Sequence, residues 1–203
     1  DDIRLMKKNS KNPDYKMKSF SWTGDTQGYE FIHKNKNFEK LFYQIKTKIY
    51  EYLSLIDIDP NFIDLYIQRS WATISETDEI VSRHRHFQSH ISFAYYLKKS
   101  EEDSNFVIFD EGYKNEIIPG IFRSDTAIKK GLIRKKSQFN TTNAVIKVEE
   151  NEVVIFPSKT IHSTQQTMSN KERISISADI VCISKDSKFL EMTMPPIKEW
   201  TKM

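Results

Sequence analysis

Histidine is the residue type in this chain with the clearest capacity for chemistry. Three of the five histidines, His84, His86 and His90, lie in the segment VSRHRHFQSHISFAYYL, which spans residues 81–97. A fourth, His162, ends the apolar segment EVVIFPSKTIH. Neutral imidazole nitrogens bind iron, zinc, copper and nickel. We therefore interpret the chain as a scaffold that brings these two segments together around one metal ion.

The spacing of His84 and His86 suits a shared ligand role. We predict a strand over residues 81–87, and alternate residues on a strand point to the same face. The two imidazoles can therefore converge on one ion, and His162 supplies a third ligand from a distant strand. Turn-like residues precede His90, so we expect its side chain to face the substrate or to support a ligand, not to bind the ion.

Hydrophobic periodicity predicts the elements that position these residues. After an N-cap at Asn37, apolar residues recur at helical spacing as far as Leu53, which predicts an amphipathic helix packed on a sheet. Alternating patterns then predict short strands at 62–67, 81–87, 91–98, 105–110, 144–148, 152–156, 160–166 and 172–183. Because strands and helices do not alternate, we expect a mainly β fold, a mostly antiparallel sandwich or barrel.

The chain length predicts a single domain. The chain has 203 residues, of which 38% are hydrophobic, and this is enough for one substantial core. We expect one domain over 1–203, with an arm and helix at 1–58, a β core at 62–183, a long insert at 111–143 and a tail at 184–203. So long an insert is typical of a functional loop, so we predict a lid there. The insert and the 19–30 arm are our candidates for substrate contact.

Charge and cysteine content restrict the setting and the partners. The net charge of +3 is only mildly basic, and the one local basic cluster spans residues 129–136. Such a cluster could attract an anionic substrate or a phosphate backbone. Cys182 is the only cysteine, which favours a reducing, cytoplasmic compartment. No run of about 18 apolar residues occurs, so we expect no transmembrane helix.

Four short motifs follow one another within residues 62–183. They are H-x-H at 84 and 86, S-x-x-x-Y-L ending at Leu97, N-E-V-V-x-F-P-S-x-x-x-H ending at His162, and R-I-S-I-S beginning at Arg173. The arginine stands eleven residues after the distal histidine (173 minus 162). This ordered set resembles the iron(II)/2-oxoglutarate-dependent oxygenases of phage and bacterial type.

The resemblance implies a fold and a metal site. The fold would be a double-stranded β-helix, a cupin-like jelly roll with the metal at its mouth and the amphipathic helix packed on its sheet. Fe(II) would be held by His84, His86 and His162. The position of His86 is one where most of the superfamily has Asp or Glu, so this ligand set would leave the iron one charge unit more positive.

The resemblance also implies a second cofactor, 2-oxoglutarate, which would chelate the iron. Its far carboxylate would pair with Arg173, helped by Ser175, and Tyr95 or Tyr96 would add a hydroxyl. The residue types suit these roles, because the planar fork of arginine fits a carboxylate and residues at i and i+2 of a strand share a face. The implied reaction is hydroxylation of an unidentified small-molecule or peptide substrate, with release of succinate and CO2.

Three alternatives stay open at this point. If His86 does not bind the metal, its position would be open to water or an anion, and Asp110, Asp179 or Glu79 could supply a carboxylate, although none has the right local spacing. A cupin-type metal protein would use His90 as a ligand and have no use for Arg173. A non-catalytic module would instead bind nucleic acid through the 129–136 cluster.

Overall fold

The computed structural model describes residues 1–10, 19–100, 104–113, 115–137, 139–186 and 191–203. Residues 114, 138 and 187–190, which belong to the predicted insert and tail, lie outside the described residues. The helices are α1 (Asp2–Lys8), α2 (Glu39–Leu55) and α3 (Asp125–Lys129). The strands are β1 (Trp22–Thr23), β2 (Ile63–Ser75), β3 (Ile91–Lys98), β4 (Phe106–Phe109), β5 (Asn143–Ile146), β6 (Val153–Pro157), β7 (Ile161–Thr164) and β8 (Arg173–Ser184).

These strands form two antiparallel sheets. The larger sheet has the order β1-β2-β8-β3-β6, and the smaller has the order β5-β4-β7. The central strands β2 and β8 pair from Ile63 with Ser184 to Ser75 with Arg173, with one irregularity between Ile67 and Arg69. The fold is the mainly β double-stranded β-helix, or jelly roll, that the sequence predicts. None of the helices in the described part of the chain combines the length and hydropathy of a membrane span.

Helix α2 covers the outer face of the larger sheet, as its apolar spacing predicts. Phe42, Ile45 and Ile49 of the helix pack in one core with Ile176 and Ile180 of β8. Removing these side chains from water contributes roughly 1.5–3 kcal/mol for each large apolar residue. The position of the sheet relative to the helix therefore depends on this contact.

The helix α2 begins at Glu39 with Phe38 as its N-cap, one residue after the predicted cap Asn37. A single 3₁₀ turn, Lys36–Phe38, precedes the helix, and the N-cap of this turn is Asn35. The Asn35 side-chain oxygen accepts a hydrogen bond from the backbone N–H of Asn37 at 3.0 Å. Both asparagines suit a cap, so sequence alone does not separate the two positions.

Strand β8 presents two chemically different faces. Its even-numbered residues Ile174, Ile176, Ala178 and Ile180 are buried in the core beneath the helix. Its odd-numbered residues Arg173, Ser175, Ser177 and Asp179 lie on the opposite face, because side chains alternate along a strand. A second apolar cluster, formed by Tyr96, Phe106, Val148 and Phe156, joins the two sheets on that inner side. The inner face of β8 is thus the polar wall of the space between the sheets.

The core gives a direct stability prediction. Ile176 is completely buried, so Ile176→Ala should lower the free energy of unfolding by about 2–5 kcal/mol through lost burial and a cavity. Leu55, at the end of α2, is 82% exposed, and Leu55→Ala should change it by no more than about 0.5 kcal/mol. Urea unfolding of both variants checks the difference. Equal effects would contradict the assignment of Ile176 to the core.

The prediction of a strand over residues 81–87 is wrong. The segment is irregular apart from one isolated bridge between His84 and His162. In that bridge the N–H of His84 donates to the carbonyl of His162, and the reverse bond also forms, both at 2.9 Å. Further along, the N–H of His86 donates to the carbonyl of Ser158 at 3.0 Å. The segment therefore runs beside β7 with irregular spacing, since the N–H of Thr164 also donates to the carbonyl of Val81 at 3.2 Å.

Candidate metal centre

The structure brings His84, His86 and His162 together. One nitrogen of each ring lies within 4.8 Å of the corresponding nitrogens of the other two. The ring centroids are 4.2 Å apart for His84 and His162, 5.1 Å for His84 and His86, and 5.3 Å for His86 and His162. The first two histidines come from the irregular segment between β2 and β3, and the third comes from β7. The bridge between His84 and His162 fixes the distance between these segments.

Backbone carbonyls orient two of the three rings. Nδ1 of His84 lies 2.7 Å from the carbonyl oxygen of Ser82, and Nδ1 of His162 lies 2.9 Å from that of Thr160. A carbonyl oxygen only accepts hydrogen bonds, so each Nδ1 carries the proton and each Nε2 keeps its lone pair. This is the tautomer that a metal-binding histidine needs when it binds through Nε2.

Burial keeps these histidines neutral. It is the main cause that lowers the pKa of His84 below its ordinary value, and the neighbouring His86 adds to the effect. Burial, followed by the electrostatic interaction with the His84 ring, lowers the pKa of His162 to about 3. Neutral imidazole is the form that binds a metal ion. The two rings therefore need not lose a proton at neutral pH before they bind an ion.

The third ring, that of His86, has a different partner. Its Nδ1 hydrogen-bonds with Oδ1 of Asp179, which also accepts from Ser92 Oγ at 2.8 Å. The other carboxylate oxygen accepts from Nε of Arg69 at 2.7 Å. Burial alone would raise the pKa of Asp179, but the hydrogen bonds from these three donors outweigh it and leave the pKa below its ordinary value. A charged carboxylate thus lies directly behind His86.

The sequence only partly predicts this carboxylate. Asp179 was considered as a replacement ligand for His86, whereas in the structure it contacts the far side of that ring. Its signal in the sequence is parity, because it stands an even number of residues after Arg173 and Ser175 and shares their face. Arg69 was not predicted, although it shares parity with Trp71 on β2. The other two candidate carboxylates, Asp110 and Glu79, do not line the cavity described next.

A cavity of about 270 Å³ connects the three histidines to Arg173, Ser175 and Tyr96. Arg173 is fully buried, and its Nη1 and Nη2 donate to Ser104 Oγ at 2.8 Å and to Ser75 Oγ at 2.6 Å. Its guanidinium carbon lies 6.0 Å from the ring centroid of Tyr96. Burial raises the pKa of Tyr96 to about 12, so its hydroxyl stays protonated. The cavity therefore has three imidazoles and a buried cation on its walls.

Tyr95 and His90, two residues that the sequence analysis considered, do not line the cavity. The side chain of Tyr95 points to the opposite face of β3 from that of Tyr96, because neighbouring residues on a strand alternate between faces. Its hydroxyl donates to Asn151 Oδ1 at 2.9 Å outside the cavity, so the structure does not bring it to the predicted site. His90 is exposed, and its Nδ1 accepts a hydrogen bond from the N–H of Cys182 at 2.9 Å. The cupin-type alternative, which needs His90 at the metal, is not favoured.

The predicted substrate-contact segments differ in their relation to the cavity. Thr23 and Asp25, from the 19–30 arm, line it. None of the described residues of the 111–143 insert does so, although Glu111 at its start pairs with Arg85 of the cavity wall at 3.0 Å. The described part of the insert contains α3 and one 3₁₀ turn, Ile121–Arg123. A lid at the insert thus stays a prediction.

A comparison with protein-family models identifies the family. Residues 69–179 match the family described as "Putative 2OG-Fe(II) oxygenase", where 2OG is 2-oxoglutarate. The match covers more than half of the chain, and the chain therefore belongs to this family of oxidoreductases, whose cofactors are Fe(II) and 2-oxoglutarate. A comparison with curated protein sequences found no match.

The chain is also similar to several solved structures. The 2OG complex of the viral collagen prolyl hydroxylase vCPH from Paramecium Bursaria Chlorella virus-1 is 12% identical over 88% of each chain, with a TM-score of 0.46. An oxidoreductase of the 2OG-Fe(II) oxygenase family from Burkholderia pseudomallei is 13% identical over 59% of this chain and 46% of that one, with a TM-score of 0.42. HygX from Streptomyces hygroscopicus, with nickel and 2-oxoglutarate bound, is 12% identical over 58% of this chain and 56% of that one, with a TM-score of 0.37. The similarity thus spans about half the length of the Burkholderia and Streptomyces proteins.

The side chains present fit both cofactors. Three imidazoles that converge on one point suit Fe(II), which accepts nitrogen ligands readily. A buried guanidinium in the same cavity suits a dicarboxylate, since its planar fork fits a carboxylate in two-point fashion. The donor set and the cation thus agree with the family on independent chemical grounds.

Proposed function

We propose that the protein is an Fe(II)/2-oxoglutarate-dependent dioxygenase that acts through a single domain and hydroxylates a C–H bond of a small-molecule or peptide substrate. His84, His86 and His162 hold the iron in this proposal, and succinate and CO2 are released with the hydroxylated product. One observation supports it most strongly, namely that a single cavity joins the three imidazoles to the buried Arg173.

Arg173 binds the far carboxylate of 2-oxoglutarate in this proposal. Ser75 and Ser104 hold its two terminal nitrogens, which fixes the plane of the guanidinium. A fixed guanidinium loses little freedom when it binds a carboxylate, so more of the contact energy is retained as affinity. Ser175 is the next residue on the same face of β8 and adds a hydroxyl to the same region of the cavity.

The protein's own contribution to the reaction is position and exclusion of water. When bound, iron and 2-oxoglutarate supply the activation of O2, which side chains alone do not provide. The histidines hold lone pairs in a fixed arrangement, and Phe106 and Phe156 pack against the ring of His162, with centroids 5.2 and 4.7 Å away. These aromatic rings keep the metal side of the cavity apolar and limit access by water.

An anaerobic titration tests the proposal. Purified apo-protein receives Fe(II) and then 2-oxoglutarate, and the visible metal-to-ligand charge-transfer band is recorded. The band should appear only after both additions, and turnover in air should then convert 2-oxoglutarate to succinate. Iron binding without the band would contradict the use of 2-oxoglutarate, and failure to bind iron would contradict the whole proposal.

The two neighbouring tyrosines give a matched pair of variants. Tyr96 lines the cavity, so Tyr96→Phe should weaken 2-oxoglutarate binding by about tenfold, the value of one hydrogen bond to a charged group. Tyr95→Phe should leave that affinity unchanged, because the Tyr95 hydroxyl bonds to Asn151 outside the cavity. The intensity of the charge-transfer band at rising 2-oxoglutarate concentration measures both. A larger effect from Tyr95→Phe would reverse the assignment.

A further inference from the structure

The most unusual buried group near the cavity is the Asp179 carboxylate. It is completely buried, and both oxygens are hydrogen-bonded: Oδ1 by His86 and Ser92, and Oδ2 by Arg69. Burying a charge costs several kcal/mol unless it is paired and hydrogen-bonded. The fold thus keeps one charged carboxylate buried directly behind a single imidazole, that of His86. Packing alone does not require an acid there.

We propose that Asp179 is a positioning residue for the metal centre, which fixes His86 with Nε2 toward the ion and adds negative charge to a ligand set made of neutral rings. This inference rests on the proposed function, because it takes His86 to be a metal ligand. Through the His86 ring the carboxylate acts on the ion without touching it. It makes the imidazole a stronger electron donor by accepting the Nδ1 proton in a hydrogen bond.

The surroundings of His86 support a positioning role. Asp179 holds the ring at Nδ1, and the indole of Trp71 stacks on its face, with centroids 5.7 Å apart and planes inclined by 28°. His84 and His162 are instead oriented by uncharged carbonyl groups of the backbone. His86 is therefore the one histidine of the three whose electron donation depends on a charged side chain.

Arg69 partly offsets the negative charge of the Asp179 carboxylate. Its Nε bonds to Asp179, its guanidinium lies 4.9 Å from the ring centroid of Trp71, and its Nη1 lies 3.6 Å from Asp25 Oδ2. A cation this close withdraws electron density from the carboxylate and weakens its effect on His86. Asp179 and Arg69 should therefore shift the Fe(III)/Fe(II) midpoint potential of the bound ion in opposite directions.

The test compares Asp179→Asn with Arg69→Met. Asp179→Asn should weaken Fe(II) binding by about 10–100-fold, as expected for loss of a group that supports a ligand. It should also raise the Fe(III)/Fe(II) midpoint potential, because removing a negative charge destabilises Fe(III) more than Fe(II). Arg69→Met should lower that potential. Damage to packing alone would not give shifts of opposite sign, so the pair separates the proposed role from a structural one.

Two further variants complete the design. Asp64→Asn makes the same chemical change at a half-exposed acid of β2 that does not line the cavity, and it should match wild type in iron affinity and potential. If Asp179→Asn does not fold, Ser92→Ala removes one hydrogen-bond donor from the same carboxylate, which strengthens its effect on His86, and should lower the potential in the same direction as Arg69→Met but by a smaller amount. Circular dichroism and thermal melting establish which variants are folded.

The outcomes separate this inference from the proposed function. Wild-type protein that binds no iron would refute the proposed function. Wild-type binding with an unchanged potential in Asp179→Asn, or in Ser92→Ala if the first variant is unfolded, would refute only the inference. Potential shifts of the same sign in Asp179→Asn and Arg69→Met would also refute it. A loss of iron as complete as that in His162→Ala would make Asp179 a ligand and overturn the positioning role.

Discussion

His162→Ala should abolish the metal site. The substitution removes one of three nitrogen donors, so the affinity for Fe(II) should fall by more than the roughly 100-fold upper value for loss of a supporting group. The backbone bridge to His84 does not use the side chain and should persist, so the loss should come from the donor alone. Equilibrium competition with a coloured chelator measures the affinity, and the charge-transfer band with 2-oxoglutarate should disappear.

His90→Ala is the matched control for this experiment. His90 lies in the same segment as His84 and His86, but it is exposed and accepts a hydrogen bond from the N–H of Cys182. Its loss should leave iron affinity within about twofold of wild type, since a surface change away from the site is worth no more than about 0.5 kcal/mol. Loss of iron in His90→Ala as well as in His162→Ala would instead support the cupin-type ligand set, in which His90 is also a ligand.

The spacing of the histidines predicted that their side chains converge, but it did not predict the backbone structure that brings them together. An alternating pair on a strand over 81–87 was expected to point both imidazoles to one side. The segment is irregular, and the two side chains converge because it is held against β7 by His84 and against Ser158 by His86. These hydrogen bonds join residues more than 70 positions apart, and local periodicity carries no information about such pairs.

Strand β8 is the element where sequence and structure agree best. The alternation from Arg173 onward separates apolar residues facing the helix from polar residues facing the cavity, and both faces are present as expected. The same parity rule, applied further along, points to Asp179. What it does not reveal is the partner, because the contact with His86 depends on how a loop far away in sequence folds over the sheet.

The tyrosine pair and the insert show two different limits. Tyr95 and Tyr96 were both considered for the cavity, and strand parity allows only one of two neighbours to face it. The register that selects Tyr96 is set by pairing with Ser175 of β8, which the sequence of β3 alone does not give. The 111–143 insert has no strong periodicity, so its role as a lid rests on length and is not tested by the cavity lining.

Arg173→Gln should separate iron binding from 2-oxoglutarate binding. Iron affinity should stay close to wild type, since the three imidazoles are intact. Affinity for 2-oxoglutarate should fall by about 2–5 kcal/mol, or roughly 30-fold to several thousand-fold, the usual cost of removing one member of a buried hydrogen-bonded charge pair. Arg173→Lys should keep the charge but lose the planar fork and give an intermediate value. Titration of the charge-transfer band measures all three proteins.

The ligand itself supplies the sharpest control. A 2-oxo acid that lacks the far carboxylate, such as 2-oxopentanoate, can still chelate iron but has no second carboxylate for Arg173 to bind. It should bind wild type and Arg173→Gln with similar affinity, so the penalty should appear only with the dicarboxylate. Lys98→Gln, which removes a cation paired with Glu172 outside the cavity, should not affect either ligand. Equal losses for both 2-oxo acids would mean that Arg173 supports the fold around the cavity and does not bind the cofactor.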